Sequence, residues 1–496
     1  MTGGGWLRNI ALILVCAALI VPLTLVDVPP LLDYPNHLAR LVVLAANGAD
    51  PIYARFYAPH WAITPNLALD LTVPPLLRIA PVHDVGRIVT GVILLLPLLG
   101  ALAWHRALSG RPSLVPLTAA LILYNGTSLR GFLNFIAAEG LALLIAAGWV
   151  VWRDRRPRLA IAFAAAGAVI LFFCHLTGVL FLAVLLGAHE ISPPWGVRIL
   201  ARRLAIFVAI FAGPLILYGM SALGHTGGET IFRSVSSKGQ AALMPVINYI
   251  WLFDLATALL AVSAAALCVW RRWCVIPIPA AIALAVLVLL FLVSPTAFKG
   301  TFDLDTRFII MASVLLPASM VPAAIPLWAV RWFAIGFMVL FAARMTVVAT
   351  AWDEWRTDLA DFRSVIALVP PGAVVLTIDG PSGTNAGRLS DGTRISTHMP
   401  ALLLIENRAW WPFLFNNPSQ QPIETREPYR TLAARIESIP DRLAWLARGG
   451  PETRLITHVV VLGPTHKTPA GLILRRNPMA ALYRLDPSQG SESPLP

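Results

Sequence analysis

The sequence predicts a polytopic α-helical membrane protein with a smaller α/β region at its C-terminal end. Three features support this prediction: an apolar composition, a series of long apolar runs, and the placement of arginine. Hydrophobic residues make up 57% of the 496 residues, charged residues make up 13%, and the mean hydropathy is +0.72. Soluble proteins carry about 25% charged residues. The composition therefore excludes a soluble enzyme, a disordered chain and a disulfide scaffold.

Apolar runs occupy most of the first 350 residues. A helix that crosses a membrane needs about 20 predominantly apolar residues, and the sequence offers about eleven such candidates, two of them short. They are residues 8–28, 85–104, 113–130, 132–152, 159–173, 176–188, 204–223, 248–270, 275–293, 308–324 and 328–350. The first run lacks a clear cleavage site, so we expect an uncleaved helix and not a signal peptide.

Arginine marks alternate connections between these runs. If the N-terminus is cytoplasmic, every inner connection contains arginine and most outer connections contain little, as the positive-inside rule requires. The net charge of +12 is therefore a topology signal, and nucleic acid is not expected as a partner. The Ala, Arg and Leu bias indicates a GC-rich bacterial genome. We predict a multi-pass protein of the bacterial cytoplasmic (inner) membrane, with an extracytoplasmic C-terminal domain.

The composition divides the chain near residue 350. Residues 1–350 form the membrane module, which includes a long first outer loop at residues 29–84. Beyond it, acidic residues become more frequent, and β-like runs (373–378, 458–462, 481–484) alternate with helical patterns (355–368, 429–446). Such alternation predicts an extracytoplasmic α/β domain over residues 351–486. The polar residues 487–496 are predicted to form a disordered tail. The four cysteines have no metal-binding spacing and are expected to be buried apolar residues.

The first outer loop gathers several polar groups at the edge of the membrane. Asp33 precedes a predicted helix that begins near Pro35, and Asn36, His37 and Arg40 share one face of that helix. Two interpretations stay open: Asp33 caps the helix while the other groups lie at the lipid interface, or the cluster is a functional site. Tyr34 is a possible supporting residue.

A second polar cluster lies ahead of a later span. Lys299, Asp303, Asp305 and Arg307 could bind a phosphate or sugar, or could form a self-neutralising turn. Asp-x-Asp has metal-ligand spacing, but a single carboxylate pair is weak evidence for a metal. Glu139 lies in the middle of an apolar run, where an ionisable group normally faces the protein interior. Protonation, or pairing with an arginine such as Arg130 or Arg307, would relieve its charge.

The sequence 32–40, Leu-Asp-Tyr-Pro-Asn-His-Leu-Ala-Arg, resembles the Asp-containing first outer loop of the GT-C class of integral-membrane glycosyltransferases. The resemblance implies that Asp33 is the catalytic base, in an inverting transfer from a polyprenyl-phosphate sugar donor to a lipid, glycan or protein acceptor. Because the acidic doublet of commoner members is missing, no cofactor is predicted and a divalent cation stays open. The remaining candidates are His37 as a second catalytic group, Arg40, Lys299, Asp303, Asp305, Arg307 and His175 as substrate ligands, and Tyr34, Asn36 and Glu139 as support.

Two rival functions belong to other classes. A lipid-linked glycan transporter or flippase would need a polar path, and the intramembrane charge is expected to be almost limited to Glu139. The third class is a non-catalytic assembly subunit. In the C-terminal domain, His398, Trp410 and Trp411 could line a cleft above the membrane, although we favour the hypothesis that the aromatic residues form the domain's core or its seat on the bilayer. We further predict that Asp33 and the turn at residues 299–307 converge on one site.

Overall fold

The computed structural model describes residues 3–46, 48–191, 193, 195–225, 227–378, 387–463 and 468–485, so the predicted tail lies outside the described residues. This part of the chain is mainly helical. Up to residue 366 the helices are α1 (Gly3–Leu25), α2 (Tyr34–Ala46), α3 (Pro51–Phe56), α4 (Ala68–Leu77), α5 (Val82–Ser109), α6 (Gly126–Leu129), α7 (Leu133–Trp152), α8 (Pro157–Cys174), α9 (Leu176–Ile191), α10 (Val197–Met220), α11 (Ala222–His225), α12 (Val235–Ala241), α13 (Trp251–Trp270), α14 (Ile278–Val293), α15 (Leu304–Ser319) and α16 (Leu327–Ile366).

Seven of the described helices are long and apolar enough to cross a membrane: α1, α5, α7, α8, α10, α13 and α16. Three further predicted runs are helices of 16 residues, namely α9, α14 and α15. Small residues allow close packing between α5 and α7. A Cβ added at Gly140 would lie 2.3 Å from the Leu96 carbonyl carbon, so this crossing requires glycine. Membrane helices commonly associate through such small residues.

The run at residues 113–130 is not the single helix that its apolar composition predicts. It forms a 3₁₀ helix, Val115–Ile122, followed by α6. The Asn125 side chain accepts hydrogen bonds from the N–H groups of Thr127 and Ser128, and the Ser128 hydroxyl accepts one from the Asn125 N–H. This capping box begins a new helix. The segment is buried and packs against α5 and α15, so its irregular backbone is kept away from lipid.

Helix α16 runs for 40 residues and crosses the predicted boundary at residue 350 without a break. Its second half buries Trp352, Trp355, Leu359, Phe362 and Ile366, which recur every three or four residues. This spacing places them on one helix face. The helix thus carries an apolar stripe from the membrane-spanning part into the C-terminal region, and one hydrophobic core includes residues of both.

The C-terminal region contains a four-stranded sheet with strand order β6-β8-β10-β9. Strands β6 and β8 are parallel, and β10 is antiparallel to both of its neighbours. The three predicted strands are therefore confirmed, whereas the exposed edge strand β9 was missed. The strands are β1 (Tyr57–Pro59), β2 (Thr230–Ile231), β3 (Cys274–Val275), β4 (Ala297–Phe298), β5 (Val321–Pro322), β6 (Val375–Ile378), β7 (Ile423–Thr425), β8 (His458–Leu462), β9 (Leu472–Arg476) and β10 (Ala480–Arg484).

The remaining helices connect these strands. They are α17 (Leu402–Asn407), α18 (Tyr429–Ser438) and α19 (Arg442–Arg448), with 3₁₀ helices at Ile395–Ala401 and Thr453–Leu455. The single helix predicted over residues 429–446 is wrong, because Pro440 follows the end of α18 and the Asp441 carboxylate caps a new helix by accepting from the Ala444 N–H. Strand β1 of the first loop pairs with β7, so the loop and the C-terminal region are joined by backbone hydrogen bonds.

Candidate functional site

Asp33 lies at the entrance to α2, and its backbone is anchored on the loop after α6. Its N–H donates to the carbonyl of Arg130 at 3.1 Å, and its carbonyl accepts from the His37 N–H at 2.9 Å. Gly131 permits this approach, since its φ is +81° and a Cβ there would lie 3.1 Å from the Asp33 nitrogen. The site is thus built where the first loop meets the loop between α6 and α7.

The Asp33 carboxylate faces a histidine from the C-terminal region. Its Oδ1 lies 2.9 Å from His398 Nδ1, and the two side chains are 13% and 19% exposed. The two atoms are close enough for an ion pair, but they do not have the geometry of a hydrogen bond. His398 Nδ1 is buried and has no hydrogen-bond partner among the described residues. The two residues, far apart in sequence, are therefore in contact, and neither side chain is fully buried.

An aromatic ring packs against the two histidines next to Asp33. The Phe415 ring packs edge-on against the rings of His37 and His398, with centroid separations of 5.5 Å and 5.0 Å. Asn36 holds this segment in place, because its side-chain amide donates to the Phe413 carbonyl and accepts from the Phe415 N–H, each at 2.8 Å. The helix face predicted to carry Asn36 and His37 thus binds the C-terminal region.

Arg40 is engaged inside the protein. Its guanidinium forms a bidentate pair with Asp70 of α4, and its Nη1 lies 3.2 Å from His37 Nδ1. Burial lowers the pKa of His37 well below its ordinary value, and the charges of Arg40 and His398 act in the same direction. Asp70 lies outside the clusters that the sequence predicts, because its partner lies on another helix. Tyr34 is also buried, and its hydroxyl packs against Gly86.

Arg307 of α15 is close enough to Asp33 for the two charges to interact. Its Nη1 contacts Nε2 of His175, and its guanidinium lies over the rings of Phe132 and Phe135 at 5.2 Å and 5.6 Å. Among the described residues, its buried Nε has no hydrogen-bond partner. An arginine with an unused donor therefore interacts with the candidate carboxylate.

His175 has a defined role in this arrangement. Its Nδ1 lies 2.7 Å from the Thr177 hydroxyl, which fixes the ring in the turn between α8 and α9. Because guanidinium nitrogens only donate, Nε2 must accept from Arg307. Thr177 contacts Nδ1 a second time through its backbone N–H, at 3.1 Å. His175 thus orients the Arg307 guanidinium.

Arg130 connects three segments around Asp33. Its guanidinium lies 2.6 Å from the Asp391 carboxylate, 2.9 Å from the Thr393 hydroxyl and 3.5 Å from the Asp303 carboxylate. The sequence suggested a role for Arg130 only as a partner for Glu139. A cationic residue in the turn just before a membrane run, with few other charges nearby, was the available signal.

The carboxylates of Asp303 and Asp305 face cations. Arg233 contacts both, and Lys238 Nζ lies 2.8 Å from Asp305. Lys299 Nζ instead donates to two backbone carbonyls of α11, those of Gly224 at 3.2 Å and Leu223 at 3.4 Å. Of this predicted cluster, Arg307 interacts with Asp33, and Asp303 contacts Arg130, the carbonyl of which binds the Asp33 N–H. Lys299 contacts neither Asp33 nor Arg130. The described residues contain no group of three His, Cys, Asp or Glu side chains suited to a metal ion.

Glu139 lies within α7 and is 2% exposed, with Oε1 lacking a hydrogen-bond partner. The expected pairing with Arg130 or Arg307 is wrong, because both guanidinium groups are bound to the partners described above. Nor is Glu139 almost the only charge in the apolar runs. Arg344 of α16 is fully buried and lies 3.2 Å from Asp254 of α13. An arginine within an apolar run was the signal that could have indicated this pair.

Trp410 and Trp411 are 1% and 2% exposed, so both side chains pack inside the protein, as the core interpretation predicts. The backbone explains their burial. Trp410 forms a bridge with Val374 beside β6, and the Trp411 indole donates to the Thr377 hydroxyl at 2.9 Å. Both rings are therefore directed into the sheet.

No protein-family model matches the chain, and no curated protein matches it. Its structure is similar to that of ArnT from Cupriavidus metallidurans bound to undecaprenyl phosphate, with a TM-score of 0.57 and 12% identity over 99% of this chain and 100% of that one. The arabinofuranosyltransferase AftD from mycobacteria matches with a TM-score of 0.48 and 15% identity, over 95% of this chain and 39% of AftD. The likeness to ArnT shows the fold, and the predicted GT-C resemblance is confirmed at that level.

Proposed function

We propose that this chain is a membrane glycosyltransferase that moves a sugar from a polyprenyl-phosphate donor to a lipid, glycan or protein acceptor. The observation that carries the proposal is Asp33, whose carboxylate lies 2.9 Å from His398 and interacts electrostatically with Arg307, in a fold shared with ArnT, which was crystallised with undecaprenyl phosphate bound. Such a transfer requires a carboxylate and a guanidinium that has a free hydrogen-bond donor.

The two residues have complementary roles in the proposed reaction. In an inverting transfer, Asp33 takes the proton of the acceptor as its oxygen or nitrogen attacks the anomeric carbon. The bond from that carbon to the phosphate oxygen breaks, and the lipid phosphate leaves with the electron pair. Arg307 stabilises this developing charge, and its free Nε gives a phosphate oxygen a charge-assisted hydrogen bond.

Other residues support these two. His175 orients Arg307, and the Arg130 carbonyl holds the Asp33 backbone. Arg40 is not assigned to the phosphate, because Asp70 neutralises it. It instead keeps His37 in place.

The proposal includes an orientation. We place the N-terminus in the cytoplasm and the candidate site on the outer side of the inner membrane, with about eleven crossings, since arginine recurs in alternate connections. Reporter fusions after Arg155 and after Gly449 test this topology. Opposite compartments are expected, and the same compartment for both would overturn the orientation.

The deciding experiment deletes the gene in the source organism and compares lipid-linked and cell-surface glycans by mass spectrometry. A transferase predicts that the donor lipid accumulates and that one surface glycan is lost. Wild-type protein should restore the glycan and Asp33→Asn should not, although purified Asp33→Asn should still bind undecaprenyl phosphate. Asp353→Asn, an exposed aspartate, is the matched control and should restore the glycan. Restoration by Asp33→Asn would instead favour a transporter.

The same strain supplies an assay. Its lipid extract contains the accumulated donor together with unmodified lipid acceptors, and its membranes contain unmodified glycan and protein acceptors. Adding purified full-length protein should release undecaprenyl phosphate, which mass spectrometry quantifies. This release gives kcat and an apparent KM for each variant.

A further inference from the structure

His398 is held in position by a well-packed segment. It lies in the 3₁₀ helix Ile395–Ala401, whose residues Met399, Pro400 and Ala401 are buried in the core and which packs against α2. The ring also packs edge-on against Phe415. The imidazole is therefore fixed against Asp33 by the C-terminal region.

The two ring nitrogens of His398 have different surroundings. Nδ1 is shielded from solvent and faces the Asp33 carboxylate at 2.9 Å. The side chain is nevertheless 19% exposed, so water reaches another part of it. A histidine that faces a carboxylate with a shielded nitrogen and still reaches water can pass a proton outward.

The charged neighbours of His398 favour this use. Asp33 is the carboxylate against it, and burial lowers the pKa of the neighbouring His37 and keeps that ring neutral. Arg40 is neutralised by Asp70. Arg307 lies near Asp33, so the cation of the proposed phosphate site and the imidazole act on the same carboxylate.

We propose that His398 is the proton-relay and positioning residue for Asp33, an inference that rests on the proposed function. Asp33 takes the acceptor's proton while the new bond to the anomeric carbon forms. The protonated carboxyl then donates that proton to Nδ1 of His398, and the resulting imidazolium releases a proton from Nε2 to water. The carboxylate is thereby regenerated, and the lipid phosphate leaves as the anion.

This assignment also explains the imperfect geometry of the pair. A histidine with a purely structural role normally uses its buried nitrogen in a hydrogen bond, yet Nδ1 has none. Catalytic hydrogen bonds are often poorly aligned before substrate binds. A small rotation of either side chain would align the Asp33–His398 contact.

The test uses the full-length protein in the undecaprenyl phosphate release assay. His398→Ala should lower kcat by about tenfold to hundredfold, at the modest end of proton-transfer contributions, while KM and undecaprenyl phosphate binding stay unchanged. Added imidazole should restore His398→Ala and leave Asp33→Asn inactive. In His398→Gln, which cannot take up a proton, the shape of the pH–rate profile should change. His83→Ala, at a histidine that faces a different carboxylate, should keep wild-type kcat.

The outcomes separate the two proposals. Wild-type kcat in His398→Ala, together with an inactive Asp33→Asn, would overturn the relay and leave the glycosyltransferase intact. Loss of kcat that imidazole cannot restore, with an unchanged pH–rate profile in His398→Gln, would also overturn it in favour of a structural role. If His398→Ala does not yield folded protein, His398→Gln decides through its pH–rate profile. Activity in Asp33→Asn would overturn the proposed function itself.

Discussion

Arg40 and Asp70 form a bidentate ion pair between α2 and α4. The arginine Nε and Nη2 lie 2.7 Å and 3.2 Å from the two carboxylate oxygens, and the side chains are 2% and 1% exposed. The pair also directs the remaining Arg40 amino group to His37. Two helices of the long first loop are thus joined at the base of the candidate site by charges that water does not reach.

We predict that Asp70→Asn destabilises the protein strongly. Removing one partner of a buried pair leaves an uncompensated charge and costs about 3–5 kcal/mol. The apparent Tm of the purified protein in detergent should fall accordingly. The double variant Arg40→Met, Asp70→Asn should recover much of the loss, because it buries no charge. A single variant that unfolds at the wild-type temperature would show that the pair is not buried in solution.

Arg307 gives a binding prediction. If its free Nε contacts the lipid phosphate, Arg307→Gln should weaken undecaprenyl phosphate binding by about tenfold to hundredfold, since a hydrogen bond to a charged group contributes about 1.5–3 kcal/mol. Native mass spectrometry of nanodisc-embedded protein measures this affinity. Arg356→Gln is the control, because that arginine is 61% exposed and pairs only with Asp353 among the described residues. Equal affinities in both variants would remove Arg307 from the phosphate site.

Asn36 gives a prediction about how the C-terminal region is held. Asn36→Ala loses both hydrogen bonds to the backbone of residues 413 and 415. We expect kcat in the release assay to fall several-fold, because Phe415 no longer supports His398. Asn407→Ala is the matched control: that side chain also makes two backbone hydrogen bonds, to Ile366 and Val369. If both variants lose activity equally, the effect is one of general stability.

Much of the fold followed from local patterns, and the candidate site did so only in part. Apolar runs predicted the helices because a backbone buried in lipid or in a core must form its hydrogen bonds within the helix. This holds whatever path the chain takes after the helix. The helix after Asp33 was predictable from Pro35 for the same local reason. The contacts of Asp33 with His398 and of Arg40 with Asp70 depend on how distant segments return to the first loop. Spacing along the chain carries no information about such returns.

A second cluster, away from Asp33, fastens the membrane helices to the C-terminal region. The Glu406 carboxylate lies 2.6 Å from Arg363 Nη2 and 3.3 Å from His83 Nε2. Arg363 also contacts Asp27, at 2.7 Å, just beyond the end of α1. One carboxylate of α17 is therefore bound to α5 and α16, and through Arg363 to α1.

This cluster predicts how stability depends on pH. Burial raises the pKa of Glu406, but its hydrogen bonds with His83 and Arg363 outweigh burial and lower the pKa overall. A carboxyl with a lowered folded-state pKa stabilises the protein above its unfolded pKa of about 4.3, and this contribution is lost as the pH falls through the folded value. Glu406→Gln should therefore lower the apparent Tm at pH 7, and the difference from wild type should shrink below about pH 4. Glu437→Gln, at an exposed glutamate, should match wild type throughout. A Tm difference that stays constant or widens in acid would mean that Glu406 is not held ionised by these partners.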